Sequence, residues 1–206
     1  MRHSAALLLL FMAIAGTPVS AMRIDADPRI IVSFMDKSLP PELDILQVTV
    51  DLSADNHLVF EVKTRGERVD GDGADYLLLH IRHGKARVLL IPINQGKGDA
   101  IAMYESALQP GMQPALPRIL EEPGSLAGLG ARRISRGAEF RVSLDWIDFG
   151  DTFGFDAYTV RADEHQGILE IHQIYDQAGK GRDQERLPSA ITLLNRLCTP
   201  QRLRPE

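Results

Sequence analysis

The densest group of residues that could do chemistry is an acidic, glycine-rich turn over residues 70–75. Its carboxylates, Asp70, Asp72 and Asp75, are the oxygen donors that Ca²⁺ prefers in a flexible loop. The spacing is not that of an EF-hand, because Ile81 stands where such a loop needs a bidentate Glu. The alternative is a hairpin turn without metal, since Asp and Gly are turn-forming residues. The sequence leaves both interpretations open.

A second chemistry to weigh is haem ligation, which needs an axial pair such as Met and His in an apolar pocket. Met103 and His172 could supply that pair. His80 and His83 are three residues apart, and this spacing places them on opposite faces of a strand. Isolated histidines on strands more often form hydrogen bonds than bind a cofactor, so haem ranks below calcium.

Carboxylates also flank the only tryptophan, with Asp145, Asp148 and Asp151 around Trp146. Paired carboxylates are the catalytic groups of glycoside hydrolases, but turn formation and solubility explain this group better. The chain contains no Gly-x-Ser-x-Gly elbow, His-Glu-x-x-His helix or phosphate-binding loop. The sequence therefore predicts a protein that is not an enzyme.

The elements that must position these residues are strands. From Ile30 onward, apolar residues recur with a period of two or in short runs bounded by Gly, Asp, Asn and Pro. Strands are predicted over residues 45–52, 57–63, 76–82, 87–93, 139–145, 153–161 and 168–175. This pattern predicts an all-β antiparallel β-sandwich, either jelly-roll or immunoglobulin-like.

Two segments depart from the strand pattern. Residues 109–130 are rich in Pro and Gly, which predicts a long surface loop and a candidate recognition element. Ser189 precedes apolar residues at helical spacing, which predicts a short C-terminal helix. We therefore divide the mature chain into a β-sandwich domain over residues 22–178 and a charged segment, helix and tail over residues 179–206.

Two blocks of sequence resemble a known group of β-sandwich proteins. The first runs from Asp44 through a hairpin into the strand that begins Asp75-Tyr76-Leu77-Leu78-Leu79. The second runs from Ala138 through Gly150-Asp151 to Tyr158. Together they are similar to the DOMON-like group, which includes family 9 carbohydrate-binding modules. The resemblance implies a sandwich whose ligand is a glycan or, as in the redox members, haem.

Glycan binding would depend on aromatic rings, because the apolar face of a pyranose stacks on them. The candidate ligand-binding residues are Trp146, Tyr76, Tyr104 and Tyr158. Trp146 extends the alternation of the preceding strand, so burial in the core is the alternative to a sugar platform. Tyrosine is also common in strands for packing reasons alone.

The N-terminus indicates the compartment. A basic start, an apolar run over residues 5–15 and the small-residue site Val19-Ser20-Ala21 form a secretory signal peptide over residues 1–21. The run is shorter than the roughly 20 residues of a membrane span. We therefore expect a periplasmic or secreted protein with no membrane span in its mature form.

Charge and cysteine content narrow the class of partner. A formal net charge of −5 argues against nucleic acid, which needs clustered cations. The single cysteine, Cys198, cannot form a disulfide within the chain, and we expect it to be buried, as free cysteines commonly are. Pairing with another chain is the alternative. The remaining partner classes are a glycan and, as an alternative, another protein of the cell envelope. A haem-binding redox subunit is the second alternative.

Overall fold

A computed structural model describes residues 27–68, 73–94, 102–105, 115–117, 128–179 and 187–198 of the chain. These residues form strands β1 (Ile30–Val32), β2 (Ile45–Leu52), β3 (His57–Thr64), β4 (Asp75–His83), β5 (Lys85–Pro92), β6 (Ala102–Glu105), β7 (Ala115–Pro117), β8 (Leu129–Ile134), β9 (Gly137–Ser143), β10 (Gly154–His165), β11 (Ile168–Gln177) and helix α1 (Ala190–Cys198). The predicted all-β antiparallel sandwich with a short C-terminal helix is confirmed. Among the described residues, no helix is long and apolar enough to cross a membrane.

The strands form two antiparallel sheets. The five-stranded sheet has the order β1-β2-β3-β9-β8, and the six-stranded sheet has the order β6-β5-β4-β10-β11-β7. The alternating apolar residues of both sheets meet in the core between them. Phe60 of β3 lies at the centre of this core, where its ring stacks on Phe153 and meets Phe155 edge-on. Burial of these rings, with the aliphatic side chains around them, holds the two sheets together.

The six-stranded sheet curls until it is nearly a barrel. The hydroxyl of Tyr104 on β6 donates to Oε2 of Glu164 on β10 at 2.9 Å. These strands lie three places apart in the sheet, a separation of about 14 Å if the sheet were flat. The bond therefore spans the inside of the curl. We call this side of the sheet the inner face.

The inner face carries a second core. On β4, Leu77 and Leu79 point towards the other sheet, whereas Leu78 points to the inner face. The inner cluster consists of buried residues from all six strands of this sheet: Leu78, Val88, Leu90, Tyr104, Leu116, Tyr158, Val160, Ala162, Leu169 and Ile171. The continuous apolar run of β4 is explained because both of its faces are buried.

Cys198 is exposed, so the expectation that it is buried is wrong. Helix α1 turns Ala190 and Leu193 towards the core between the sheets. Cys198 lies five residues beyond Leu193, about 140° further round the helix, and therefore faces away from the core. Ser189 precedes the helix, and its Oγ accepts a weak 3.4 Å hydrogen bond from the backbone N–H of Thr192.

Candidate functional site

Trp146 lies at the junction of the two sheets. Strand β9 ends at Ser143, and a 3-10 turn over Leu144–Trp146 follows it. The Oγ of Ser143 accepts from the backbone N–H of Asp145 at 3.2 Å and stabilises the start of this turn. Because the strand has ended, the alternation that would point Trp146 fully inward no longer applies. The indole is half-buried and packs against the edge of the core between the sheets.

A shallow groove runs beside the indole. One wall comes from β4 and β5, with Ile81 and Leu89, and the opposite wall comes from Leu129 and Val142 of the five-stranded sheet. Its enclosed part is about 20 Å³, room for about one water molecule. A larger ligand would therefore lie along the open side of the groove, against the indole.

Arg87 provides a positive charge at this groove. Its guanidinium carbon lies 4.3 Å from the centroid of the Trp146 ring, which is a cation–π contact. Such contacts at exposed sites contribute about 0.5–1 kcal/mol, so a ligand that offers better contacts can displace the guanidinium. Sequence analysis missed Arg87, because nothing in the local pattern of β5 shows that it will meet an indole from the other sheet.

His83 fixes the loop that borders the groove. Its Nε2 accepts from the backbone N–H of Asp148 at 2.8 Å, and its Nδ1 lies 2.8 Å from the carbonyl oxygen of Thr152. These partners assign the proton to Nδ1, because Nε2 must accept. The backbone N–H of Gly84 also donates to Oδ2 of Asp151 at 3.1 Å. The loop over residues 148–152 is therefore held by β4 and the turn after it, and its two carboxylates accept from the backbone N–H groups of Gly150 and Thr152.

The three tyrosines named as ligand-binding residues lie elsewhere, on the inner face. Tyr104 and Tyr158 are buried, and Tyr76 is half-buried against the same cluster. The hydroxyl of Tyr158 accepts from Nε2 of Gln177 at 3.2 Å, and burial raises the pKa of this tyrosine. A buried ring presents no free face to a sugar, so Tyr104 and Tyr158 do not fit the predicted role of exposed platforms. The structure brings the tyrosines together but leaves Trp146 apart from them.

Of the predicted calcium ligands, Asp70 and Asp72 lie outside the described residues. Asp75 is buried and pairs with Arg68 and with Arg161, whose Nε is 3.0 Å from Oδ1. Burial alone would raise the pKa of Asp75, but hydrogen bonds from Arg161, Arg68 and Tyr175 outweigh burial and hold that pKa below its usual value. Because two guanidinium groups already neutralise Asp75, the structure gives this residue an ion-pairing role instead of a free metal ligand.

The two residues named for haem are not brought together. Met103 is buried in the core between the sheets, whereas His172 is exposed on β11. Nε2 of His172 lies 3.0 Å from Oδ2 of Asp163, a surface contact. Across the described ranges, no three His, Cys, Asp or Glu side chains are grouped so that they could hold a metal ion.

The groove is defined by three features: a half-buried indole, a cation against its ring, and an imidazole that holds the adjacent loop. Comparison of the chain with family models, curated proteins and solved structures finds no match.

Proposed function

We propose that the protein is a non-catalytic, extracytoplasmic domain that binds carbohydrate at the Trp146 groove. The observation that supports this proposal is the half-buried indole beside an open groove, with the guanidinium of Arg87 at its ring. A pyranose places its apolar face on an aromatic ring and its hydroxyls against charged or polar groups at the edge. Arg87 is a group of that kind once a ligand displaces its guanidinium from the face of the indole.

The ordered loop strengthens this proposal. A binding site loses less entropy when its polar groups are held in place before the ligand arrives. His83 lines the groove and is itself held by two backbone contacts to residues 148 and 152, so this side of the groove needs little reorganisation. The resemblance to family 9 carbohydrate-binding modules and the secretory leader over residues 1–21 also favour an extracytoplasmic glycan-binding role.

Substitution of Trp146 tests the proposal. We expect the mature protein to bind one class of polysaccharide on a glycan array, and W146A to bind it about 30-fold more weakly in calorimetry, the effect of a hot-spot aromatic. W146F, which keeps a smaller ring, should lie between them. The array is run with Ca²⁺ and again with chelator, which also decides between a calcium site and a metal-free turn at residues 70–75.

The matched control is F34A, which removes a 91% exposed ring that does not line the groove. It should bind as the parent protein does. If the mature protein binds no glycan on the array in either buffer, or if the parent protein and W146A bind equally, the proposal is contradicted.

One observation favours the alternative of an accessory subunit in an envelope protein complex. Val32, the last residue of the edge strand β1, is 71% exposed, and Phe34 and Met35, which follow it, are 91% and 53% exposed. Exposed apolar side chains beside a sheet edge are typical of protein interfaces. If a single envelope protein co-purifies with the chain, and F34A with M35A abolishes that co-purification, the alternative takes precedence over carbohydrate binding.

A further inference from the structure

A histidine is buried on the inner face without hydrogen bonds. His80 of β4 is 1% exposed, and neither Nδ1 nor Nε2 has a partner within the described part of the chain. Buried polar groups almost always have partners, because an unpaired group has lost its bonds to water without replacement. The position of His80 therefore needs an explanation other than packing.

The surroundings of His80 are known from the register of the sheet. His80 pairs with Asp156 on β10 and with Val88 on β5, so these side chains share the inner face. Nη1 of Arg82 lies 2.8 Å from Oδ2 of Asp156, so these two charges balance each other. The ring centroid of Tyr158 lies 6.4 Å from that of His80. The histidine thus sits between an ion pair and the apolar inner cluster.

The imidazole of His80 is uncharged at neutral pH. Burial, together with the positive charge of Arg82, lowers its pKa from 6.5 to about 4. A neutral imidazole has one N–H donor and one acceptor nitrogen. Hydroxyl groups both donate and accept, so a hydroxylated molecule matches this pair. A charged ligand would find no uncompensated opposite charge in the Arg82–Asp156 pair.

We propose that the inner face of the six-stranded sheet holds a second ligand site at His80, which takes a small uncharged molecule through its hydroxyl groups. This site is separate from the Trp146 groove. Ile81, which lines the groove, contributes to the core between the sheets, whereas His80 points to the inner face of the same strand. The proposal therefore does not depend on carbohydrate binding at the groove.

The test uses the full mature chain carrying W146A, so that binding at the groove does not contribute. Glycerol and glucose are the probes. A saturable rise in melting temperature is expected, about 3 °C or more at ten times the dissociation constant, and it should disappear when His80→Leu is added. In the absence of a probe, His80→Leu should unfold at a higher urea concentration, because leucine has no polar atoms to leave unpaired. Exposed His172→Leu is the matched control and should keep the probe response.

The proposal is overturned if neither probe shifts the melting temperature, if the shift survives His80→Leu, or if this variant unfolds at a lower urea concentration. If His80→Leu does not fold, the test instead uses ¹H–¹⁵N spectra of the His80 imidazole in the W146A protein. Chemical shifts of His80 that change only with the probe support the site. Nitrogen shifts that show two hydrogen bonds before any addition indicate a buried water and overturn the proposal.

Discussion

Replacement of Gly137 by Ala is expected to lower the free energy of unfolding by about 3–5 kcal/mol. Gly137 begins β9 with φ of +149°, a conformation that side-chain-bearing residues rarely adopt. A Cβ at this position would lie 1.9 Å from the carbonyl oxygen of Val62. That oxygen belongs to β3, the neighbour of β9 in the middle of the five-stranded sheet, so relief requires the two strands to separate. Urea denaturation followed by far-UV circular dichroism measures the loss.

Gly130→Ala on the neighbouring strand β8 is the matched control. A Cβ there would lie 3.8 Å from Cβ of Arg141, an ordinary contact. We expect a change of about 1 kcal/mol or less, in either direction, because alanine also restricts the unfolded chain. Similar losses in both variants would show that the sheet tolerates no added methyl group, and would contradict the specific clash with Val62.

Strong alternation made the central strands predictable. The predicted strand 45–52 matches β2, and the predicted strand 57–63 is one residue shorter than β3. Strand β10 extends to His165, beyond the predicted end at residue 161, because its last residues pair with the start of β11. Strands β2 and β3 each have one buried face, and this condition produces a clear period of two, whereas β10 is buried on both faces along most of its length.

The short edge strands could not be predicted. Ala115–Pro117 forms β7 inside the segment that was predicted to be a loop, and only its pairing with β11 makes it a strand. Proline is tolerated there because β7 is at the edge of the sheet. Three residues carry too little pattern to show a period. Such strands depend on tertiary contacts that a local pattern does not contain.

The sequence of β4 contains an indication that the six-stranded sheet is buried on both faces. Residues 77–79 are three consecutive leucines, and a continuous apolar run indicates a strand with both faces buried. His80 interrupts that run, which marks a polar group inside a core. In contrast, the contact between Trp146 and Arg87 joins two sheets, and no feature of either strand alone predicts it.

Asp75→Asn is expected to lower the free energy of unfolding by about 2–3 kcal/mol at pH 7, because it removes the shared partner of two guanidinium groups. Asp75 connects Arg68, after β3, with Arg161 on β10 and with the hydroxyl of Tyr175 on β11. Its side chain is 2% exposed, but that of Arg161 is 41% exposed, so water stabilises part of the orphaned charge. The expected loss is therefore smaller than for a fully buried pair.

The same variant should have a distinct pH profile. The pKa of Asp75 is lowered in the folded state, since the hydrogen bonds to Arg161, Arg68 and Tyr175 outweigh burial, so its stabilising effect is complete above the ordinary value of 3.8. The effect is lost as the pH falls through the folded pKa. Urea midpoints should therefore differ by a constant amount from pH 7 to about pH 5 and converge below it. Protonation of His80, whose pKa burial lowers to about 4, destabilises both proteins equally and cancels in the difference.

Asp163→Asn is the matched control, because it removes one negative charge at an exposed position. It shows how much of the stability loss in Asp75→Asn comes from the change in net charge alone. Asp163 forms a surface ion pair with His172, and both side chains are about half exposed, so its removal should change stability by about 0.5 kcal/mol or less. A difference between the parent protein and Asp75→Asn that stays constant down to pH 3 would mean that packing, and not the carboxylate charge, accounts for the loss. Convergence at low pH, with no such trend in Asp163→Asn, would identify the Asp75 carboxylate as the charged link from β4 to Arg161 of β10 and to Arg68.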